Sequence, residues 1–247
     1  MKKPLAALAC LAAAQIASAV ELKVLSAGAF KPVLVALQPA FEQQTGHKLV
    51  IENDTAGALQ KRIAGGEAFD VVFSSPASLQ PLAAKLANEP PVPLAKVAIG
   101  VAVKRGAPLP DISTVDAFRN VVVQAKSVAY IDPAAGGSSG IYLDRLFERW
   151  GIAPQVRAKA VLVPGGLVAM RVVDGQADVA IHQISEILAV PEAVLVGPLP
   201  AEIQNYTVYA GAVAAQSANA AAARQLFDAL RSPATAGILQ SKGMQAP

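Results

Sequence analysis

Short apolar strands that run into turns of small or hydroxyl residues, each followed by a helix, are the feature that most restricts how this chain can fold. The pattern occurs five times, at residues 26–31, 54–57, 74–76, 136–140 and 164–166. Strands that alternate with helices favour an α/β fold with parallel sheets. Ligands of such sheets bind at the carboxyl ends of the strands, where these five turns would lie. We therefore expect the turns to line one binding site.

Hydrophobic periodicity gives approximate bounds for the elements between these turns. Helices are predicted over residues 31–45, 58–64, 77–86, 115–125, 141–150, 167–174, 219–230 and 235–241. Strands are predicted over residues 22–25, 48–52, 68–73, 97–103, 128–131, 161–163, 179–181, 195–196 and 206–214. The proline-rich segment 88–93 is expected to be a surface loop.

The first turn, in the segment VLSAGAFK at 24–31, has the chemistry of an anion site. Its residues carry little bulk, so a ligand can approach the backbone closely. The helix behind it begins near Lys31, and Pro32 suits a first helical turn because its missing N–H costs nothing there. Free N–H groups at a helix start attract anions. A turn trimmed only for packing is the alternative, but five such turns together indicate a shared anion or carboxylate site.

The first 19 residues have the features of a secretory signal peptide. Lys2 and Lys3 precede an apolar run over 4–16, and the sequence Ala-Ser-Ala at 17–19 fits a cleavage site. The run is too short to span a membrane. We expect a periplasmic protein that is not inserted in the membrane after cleavage. A lipoprotein modified at Cys10 is a less favoured alternative.

Composition excludes several classes of function for the chain that remains after cleavage. Removing 19 residues from 247 leaves 228, without the single cysteine, and the formal net charge of +3 falls to about +1 because Lys2 and Lys3 are lost. A chain of this charge lacks the basic surface of nucleic-acid-binding proteins. His47 and His182 have no metal-binding spacing, so neither a metal nor another cofactor is expected. We expect a monomer.

The order of motifs resembles the periplasmic molybdate-binding proteins of ABC importers and their relatives. The matching segments are VLSAGAFKPVL, NDTAGALQKRIAGGEAFDVVFSS, DPAAGGSSGIYL and GQADVAIHQISEI. The resemblance implies an α/β fold of the periplasmic-binding-protein type II class, with two α/β lobes, a ligand cleft and a hinge. Lobe I would contain residues 20–98 and 206–247, and lobe II residues 99–205. It also implies an ABC permease as a candidate partner.

Departures from the molybdate-binding pattern point to a different anion. The resemblance implies that serine hydroxyls in the first two turns hold the oxyanion in molybdate-binding proteins. This chain has Ala29 and Ala56 at the corresponding places. Ser139 stands where the family usually has alanine, and Gln183 where a tyrosine is common. The substitutions leave more room and a different set of hydrogen-bonding groups. We expect a small organic di- or tricarboxylate rather than molybdate.

The candidate ligand-binding residues lie in the turns or one helical turn beyond them. They are Ala27, Gly28, Ala29, Phe30, Lys31, Thr55, Ala56, Gly57, Arg62, Ser75, Ser138, Ser139, Gly165, Gly166 and Gln183. No metal ligands are predicted. The loop containing Ser138 reads Gly-Gly-Ser-Ser-Gly, which is not the nucleophile elbow of serine hydrolases.

Two functions from different classes fit these residues. The favoured one is a solute-binding protein that delivers a small anion to an ABC importer. The alternative follows from a resemblance of the same fold group to aconitate isomerases, periplasmic enzymes that shift a proton between trans- and cis-aconitate. That chemistry needs a base near a carbon acid, for which His182, Lys31 and Asp54 are the candidates. A sensor or partner-binding module is a third class that the sequence leaves open.

Overall fold

The computed structural model describes residues 19–247, so the predicted signal peptide lies outside the described residues except for Ala19. The strands are β1 Glu21–Ala27, β2 Lys48–Asp54, β3 Val71–Ser74, β4 Val92–Lys104, β5 Val128–Ile131, β6 Ala160–Val163, β7 Val179–Gln183, β8 Ala193–Pro198, β9 Tyr206–Val213 and β10 Met244–Gln245. The helices are α1 Lys31–Thr45, α2 Ala56–Ala64, α3 Pro76–Leu79, α4 Val115–Gln124, α5 Ser138–Arg149, α6 Ala153–Arg157, α7 Met170–Val173, α8 Ile184–Ile187, α9 Ala220–Arg231 and α10 Pro233–Ser241. Short 3₁₀ segments occupy Gln80–Lys85, Pro133–Ala135 and Ala201–Ile203.

The strands form two sheet regions that share β4. In the first region, β1 lies between β2 and β3 and is parallel to both. Strand β9 follows β3, and β9 runs antiparallel both to β3 and to β4 on its other side. In the second, β7, β5 and β6 are parallel neighbours, while β7 and β8 both run antiparallel to β4. The parallel strands place their carboxyl ends, and the turns that follow them, toward the space between the two regions.

The buried side chains form separate clusters on the two sides of that space. One cluster draws on 22–98 and 209–244, with Ile184 as its single member from the other side. The other two draw on residues 99–199. This is the two-lobed α/β architecture expected for a type II binding protein. The exchange points at residues 98/99 and 205/206 stay a prediction, which the distribution of the clusters supports.

The two chain crossings between the lobes lie side by side. Ala98 on β4 pairs with Tyr206 on β9. The side-chain amide of Gln204 accepts from the Ile99 N–H at 2.9 Å and donates to the Ile99 carbonyl at 2.9 Å, as a strand neighbour would. One glutamine therefore ties the two crossing segments to each other.

Several predicted bounds were wrong for local steric reasons. The helix expected over 77–86 is α-helical only to Leu79 and then becomes 3₁₀, because Pro81 has no N–H to donate and its ring clashes with the carbonyl four residues earlier. Strand β4 begins at Val92, inside the expected loop, and tolerates Pro93 at a register shift. Helix α7 covers only Met170–Val173 of the helix expected over 167–174.

Within the part of the chain that the structure describes, no helix combines the length and the apolar character needed to cross a bilayer.

Candidate functional site

A small cavity lies between the lobes at the carboxyl ends of the parallel strands. Its volume is about 40 Å³. The lining residues are Ala27, Gly28, Ala29, Asn53, Asp54, Thr55, Ala56, Ile131, Gly137, Ser138, Ser139, Gly166, His182, Gln183, Glu186 and Tyr209. Both lobes contribute, so the cavity is the interior of a closed cleft.

The β1–α1 turn supplies small residues, but its amide groups are largely used within the protein. The Gly28 N–H donates to the Asp54 carbonyl at 3.2 Å, which joins this turn to the end of β2. The N–H groups of Phe30 and Lys31 close the turn by donating to the carbonyls of Ala27 at 3.0 Å and of Gly28 at 3.2 Å. In this conformation the turn offers fewer free N–H donors than the sequence predicts.

The β2–α2 turn closes the cleft. Thr55 caps α2 by accepting from the Ala58 N–H at 3.1 Å, and its hydroxyl also donates to the Ala135 carbonyl of the opposite lobe. Beside it, the Gly57 N–H donates to the Gly136 carbonyl at 3.1 Å. A Cβ added at Gly57 would lie 2.7 Å from the Gly136 Cα. The two loops can therefore meet only because both positions are glycine.

A buried polar cluster of residues from both lobes forms the floor of the cavity. The Gln183 Nε2 donates to the hydroxyls of Thr207 at 2.8 Å and Ser138 at 3.2 Å. Within residues 19–247, three buried atoms around the cavity have no hydrogen-bond partner: Gln183 Oε1, Ser139 Oγ and His182 Nδ1. Buried polar atoms are normally paired. Three such atoms around one cavity indicate a site built for a polar ligand.

His182 and Glu186 form a buried titratable pair on the wall of the cavity. His182 is the penultimate residue of β7 and Glu186 lies one helical turn later in α8, with 3.4 Å between His182 Nε2 and Glu186 Oε2. Both residues are more than nine-tenths buried. Burial lowers the pKa of His182 to about 3 and raises the pKa of Glu186 to about 8. At neutral pH the pair therefore holds one proton and carries no net charge.

Glu186 reaches across to lobe I. A Cβ at Gly28 would lie 2.5 Å from Glu186 Oε1, so the glycine makes room for this carboxyl group. Ser185 beside it donates its hydroxyl to the Ala29 carbonyl at 2.8 Å. Burial raises the pKa of Tyr209 above its ordinary value, and the nearby Glu186 carboxylate adds to the shift. The first turn of lobe I and helix α8 of lobe II are thus in direct contact.

Many of the residues that the sequence singled out lie together on this cavity. They are Ala27, Gly28, Ala29, Asp54, Thr55, Ala56, Ser138, Ser139, Gly166, His182 and Gln183. Their roles in ligand binding stay predictions. The sequence reasoning missed Glu186, Tyr209 and Asn53. For Glu186 a signal existed: it is the single acidic residue in the segment 179–187 and lies four residues after His182.

Other predicted site residues have contacts elsewhere. The Phe30 ring is fully buried in the core of lobe I, against the rings of Phe73 and Tyr209. The Arg62 guanidinium pairs with Glu67 at 2.6 Å and with Glu52.

The remaining predicted residues lie at the margin of the cleft or beyond it. Ser75 caps α3 and contacts the hydroxyl of Ser78 at 2.9 Å. The Lys31 Nζ donates to Asn53 Oδ1 at 2.7 Å, just outside the cavity. Gly57 contacts the opposite loop, and Gly165 is exposed beside Gly166. Among residues 19–247 no group of three His, Cys, Asp or Glu side chains is arranged to hold a metal ion.

Comparison with known proteins identifies the family. The model of the bacterial extracellular solute-binding proteins matches residues 22–245. An aconitate isomerase from Pseudomonas sp is 38% identical over 232 residues, which cover 91% of this chain and 87% of the relative. The sequence resemblance to this branch is therefore confirmed.

Solved structures share the fold at lower identity. The periplasmic molybdate-binding protein of Azotobacter vinelandii superposes with a TM-score of 0.78 at 21% identity, over 92% of this chain and 99% of that one. The sulfate-binding protein SubI from Mycobacterium tuberculosis H37Rv gives 0.73 at 19% identity, over 92% and 87%. The type II two-lobed fold class is confirmed, and this chain belongs to the bacterial extracellular solute-binding protein family.

Proposed function

We propose that this protein is an isomerase that interconverts trans- and cis-aconitate, the alternative that the sequence left open. The observation that carries the proposal is the buried His182–Glu186 pair on the wall of the interlobe cavity. A buried carboxyl group whose pKa lies near the working pH suits a reaction that moves a proton. The relative that is 38% identical and is an aconitate isomerase supports the same conclusion.

The proposed reaction is a proton shift without net change in composition. A base removes a proton from the methylene carbon of the substrate, and the double bond moves along the carbon frame. A proton is then returned to the carbon that was vinylic, which yields the other isomer. Negative charge builds on the carboxylate oxygens in between, so hydrogen-bond donors near them lower the barrier.

Glu186 is the proton carrier that best matches this chemistry. A general acid or base works best when its pKa lies near the working pH, and burial raises the pKa of Glu186 to about 8. Glu186 accepts the substrate proton in its ionised form, which is the minor form below about pH 8, and the carboxyl group that results returns the proton to the vinylic carbon. The Nε2 of His182 lies 3.4 Å from this group. Because the pair is uncharged while it holds one proton, it does not repel a substrate that carries several carboxylates.

Neutral donors on the cavity floor suit the carboxylate that lies next to the reacting carbon. The hydroxyls of Ser138 and Ser139 lie there, and the Gln183 Nε2 positions Ser138 by donating to its Oγ. Such donors bind a carboxylate without forming a permanent ion pair. We assign them to substrate orientation and to stabilisation of the intermediate charge.

Transport of a small anion by an ABC importer is the second candidate. Closure of two lobes around a cavity is the motion of a binding protein, and it needs no proton carrier. This candidate includes three expectations that the sequence also supports. They are a periplasmic location after signal-peptide cleavage, a monomeric state and an ABC permease as partner. Both candidates use the same cleft, so only turnover separates them.

The test is incubation of the purified protein, without residues 1–19, with trans-aconitate. Proton NMR in deuterated water follows the appearance of cis-aconitate and the incorporation of deuterium at the methylene carbon. The proposal expects both. Saturable binding of trans-aconitate without either change would reject the isomerase and favour transport.

A further inference from the structure

A groove outside the cavity has the properties of a second carboxylate site. Its volume is about 520 Å³, and both lobes line it. Lys31 at the start of α1 and Lys242 after α10 lie on its walls. Below, this space is called the outer groove.

The outer groove adjoins the cavity. Gly28, Asn53, Gly166 and Glu186 line both spaces. The carboxyl group of Glu186 therefore stands at the boundary between them, not at the far end of a closed pocket. A ligand that reaches from one space into the other must pass this carboxyl group.

Size shows that a tricarboxylate needs both spaces. An ordered water requires about 10–15 Å³ measured in this way, so the cavity of about 40 Å³ has room for about three waters. One carboxylate fits there, whereas a branched molecule with three does not. The remaining arm of such a substrate must extend into the outer groove while the lobes are closed.

The charge of the outer groove suits that arm. The ammonium group of Lys31 is bonded to a neutral acceptor, Asn53 Oδ1 at 2.7 Å, so its positive charge is not neutralised. Lys242 forms no ion pair among the bridges found within residues 19–247. Lys23 and Lys48 differ, because each lies within 3.5 Å of a glutamate. The single acidic residue that lines the outer groove is Glu186, which is protonated at neutral pH.

We propose that the outer groove binds a terminal carboxylate of the substrate through Lys31 and Lys242 and thereby selects polycarboxylates over monocarboxylates. This inference rests on the proposed function, since it names the substrate class of the same site. With one carboxylate on the cavity floor and one in the outer groove, the methylene carbon between them lies beside Glu186. The two lysines are positioning residues, and they set which carbon the proton carrier meets.

Binding of unreactive ligands tests the outer groove separately from turnover. Tricarballylate is a saturated tricarboxylate, and butyrate is a monocarboxylate that the cavity floor alone can bind. Calorimetry measures the affinity of both for the unmodified protein and for the variants Lys242→Gln and Lys31→Gln. Lys61→Gln, an exposed lysine on α2 outside both spaces, is the control that removes an equal charge.

We expect Lys242→Gln and Lys31→Gln each to lower the affinity for tricarballylate about tenfold, as for loss of a charge-assisted hydrogen bond. The affinity for butyrate should stay within about twofold, and the control should leave the affinities for both ligands unchanged. An equal loss for the two ligands, or no loss for tricarballylate, overturns the proposal, as does an unmodified protein that binds no tricarboxylate. Retained circular dichroism and melting temperature confirm that the variants fold.

Turnover distinguishes this inference from the proposed function. If the unmodified protein binds tricarballylate through the two lysines but does not convert trans-aconitate, the isomerase proposal fails while the outer groove stands. If it converts trans-aconitate and the lysine variants keep the affinity for tricarballylate, the outer groove fails while the isomerase stands.

Discussion

The two turns that meet at the cleft, 27–30 at the end of β1 and 182–186 at the end of β7, have opposite chemistry. The first contains no polar side chain, and its residues are alanine, glycine and phenylalanine. The second contains four buried polar or charged side chains in succession around one apolar residue, Ile184. The first turn therefore provides shape and close approach, whereas the second provides hydrogen bonds and a proton.

That asymmetry separates this cleft from a symmetric anion cage. In a cage that only binds, donors from both lobes share the charge of the ligand. Here the contact between the lobes brings Gly28 of the first turn against Glu186 of the second. The first turn fixes the position of the Glu186 carboxyl group. The function of each turn therefore depends on the other. The predictions below test this division.

The largest effect is expected from Glu186→Gln, which keeps the shape of lobe II but removes its proton. The turnover number for aconitate should fall by about 10²–10⁴-fold, as for loss of a general acid–base. The KM should change little, since the amide fills the same space. Steady-state kinetics measures both, with Glu202→Gln, an exposed residue of the same lobe, as the control. A variant with unchanged turnover would remove Glu186 from the reaction.

The next largest effect is expected from Gly28→Ala, which changes the shape of the first turn and removes no polar group. The new Cβ would lie 2.5 Å from Glu186 Oε1, so the carboxyl group must move. Displacement of a catalytic group by about 1 Å costs about 100-fold in rate. Gly237→Ala, a helical position with no heavy atom within 4 Å of the added Cβ, is the matched control. Equal activity of the two variants would show that the first turn does not position Glu186.

A smaller effect is expected from Gly57→Ala, which keeps the two lobes apart. Its Cβ would lie 2.7 Å from the Gly136 Cα, and backbone cannot yield as a side chain does. The hydrogen bond from Gly57 to the Gly136 carbonyl is then lost, so we expect the Kd for tricarballylate to rise about tenfold. Small-angle X-ray scattering should show a larger radius of gyration for the variant with ligand than for the unmodified protein with ligand. Identical scattering curves would contradict closure through this contact.

The smallest effect is the pH dependence of stability. Unfolded Glu186 ionises near pH 4.5, but the native state keeps its proton to about pH 8, so stability falls as pH rises across that window. His182 acts oppositely: the unfolded chain takes up a proton below about pH 6.5 and the native state resists to about pH 3, so stability falls as pH falls.

Chemical denaturation at several pH values measures this linkage. The Glu186→Gln variant should gain stability relative to the unmodified protein as pH rises from 5 to 8, because the penalty of the native carboxyl group is removed. A difference that does not vary with pH would mean that the group is not buried in its neutral form.

The sequence predicts the frame of the cleft well because the frame depends on local chemistry. Apolar periodicity locates most strands and helices, and the small-residue turns follow them. About half of the residues of those turns line the cavity, as Ala27 and Ser138 do, whereas the turn 74–76 contributes none. The errors of element type, such as the helix that stops at Leu79, arise where a proline interrupts a helical pattern.

The chemistry of the cleft depends on contacts between distant segments, which one sequence does not reveal. Glu186 lies in a helix of one turn, too short for a periodic pattern, and its burial comes from the contact with Gly28 in the other lobe. The positive charge of Arg62 suits a residue that binds an anion, but its guanidinium forms ion pairs with Glu67 and Glu52. Pairing of this kind is decided by tertiary structure and not by the type of residue.

The side-by-side crossing of the chain at Ala98 and Tyr206 has a consequence for throughput. Two adjacent segments tied by Gln204 permit one common bending motion, so a molecule leaves by the route by which it entered. A long residence time is no handicap for a carrier, whereas for an enzyme product release then limits the rate. If the protein is the proposed isomerase and its proton shift is fast, opening of the cleft at the crossing held by Gln204, remote from the reacting carbon, sets the rate.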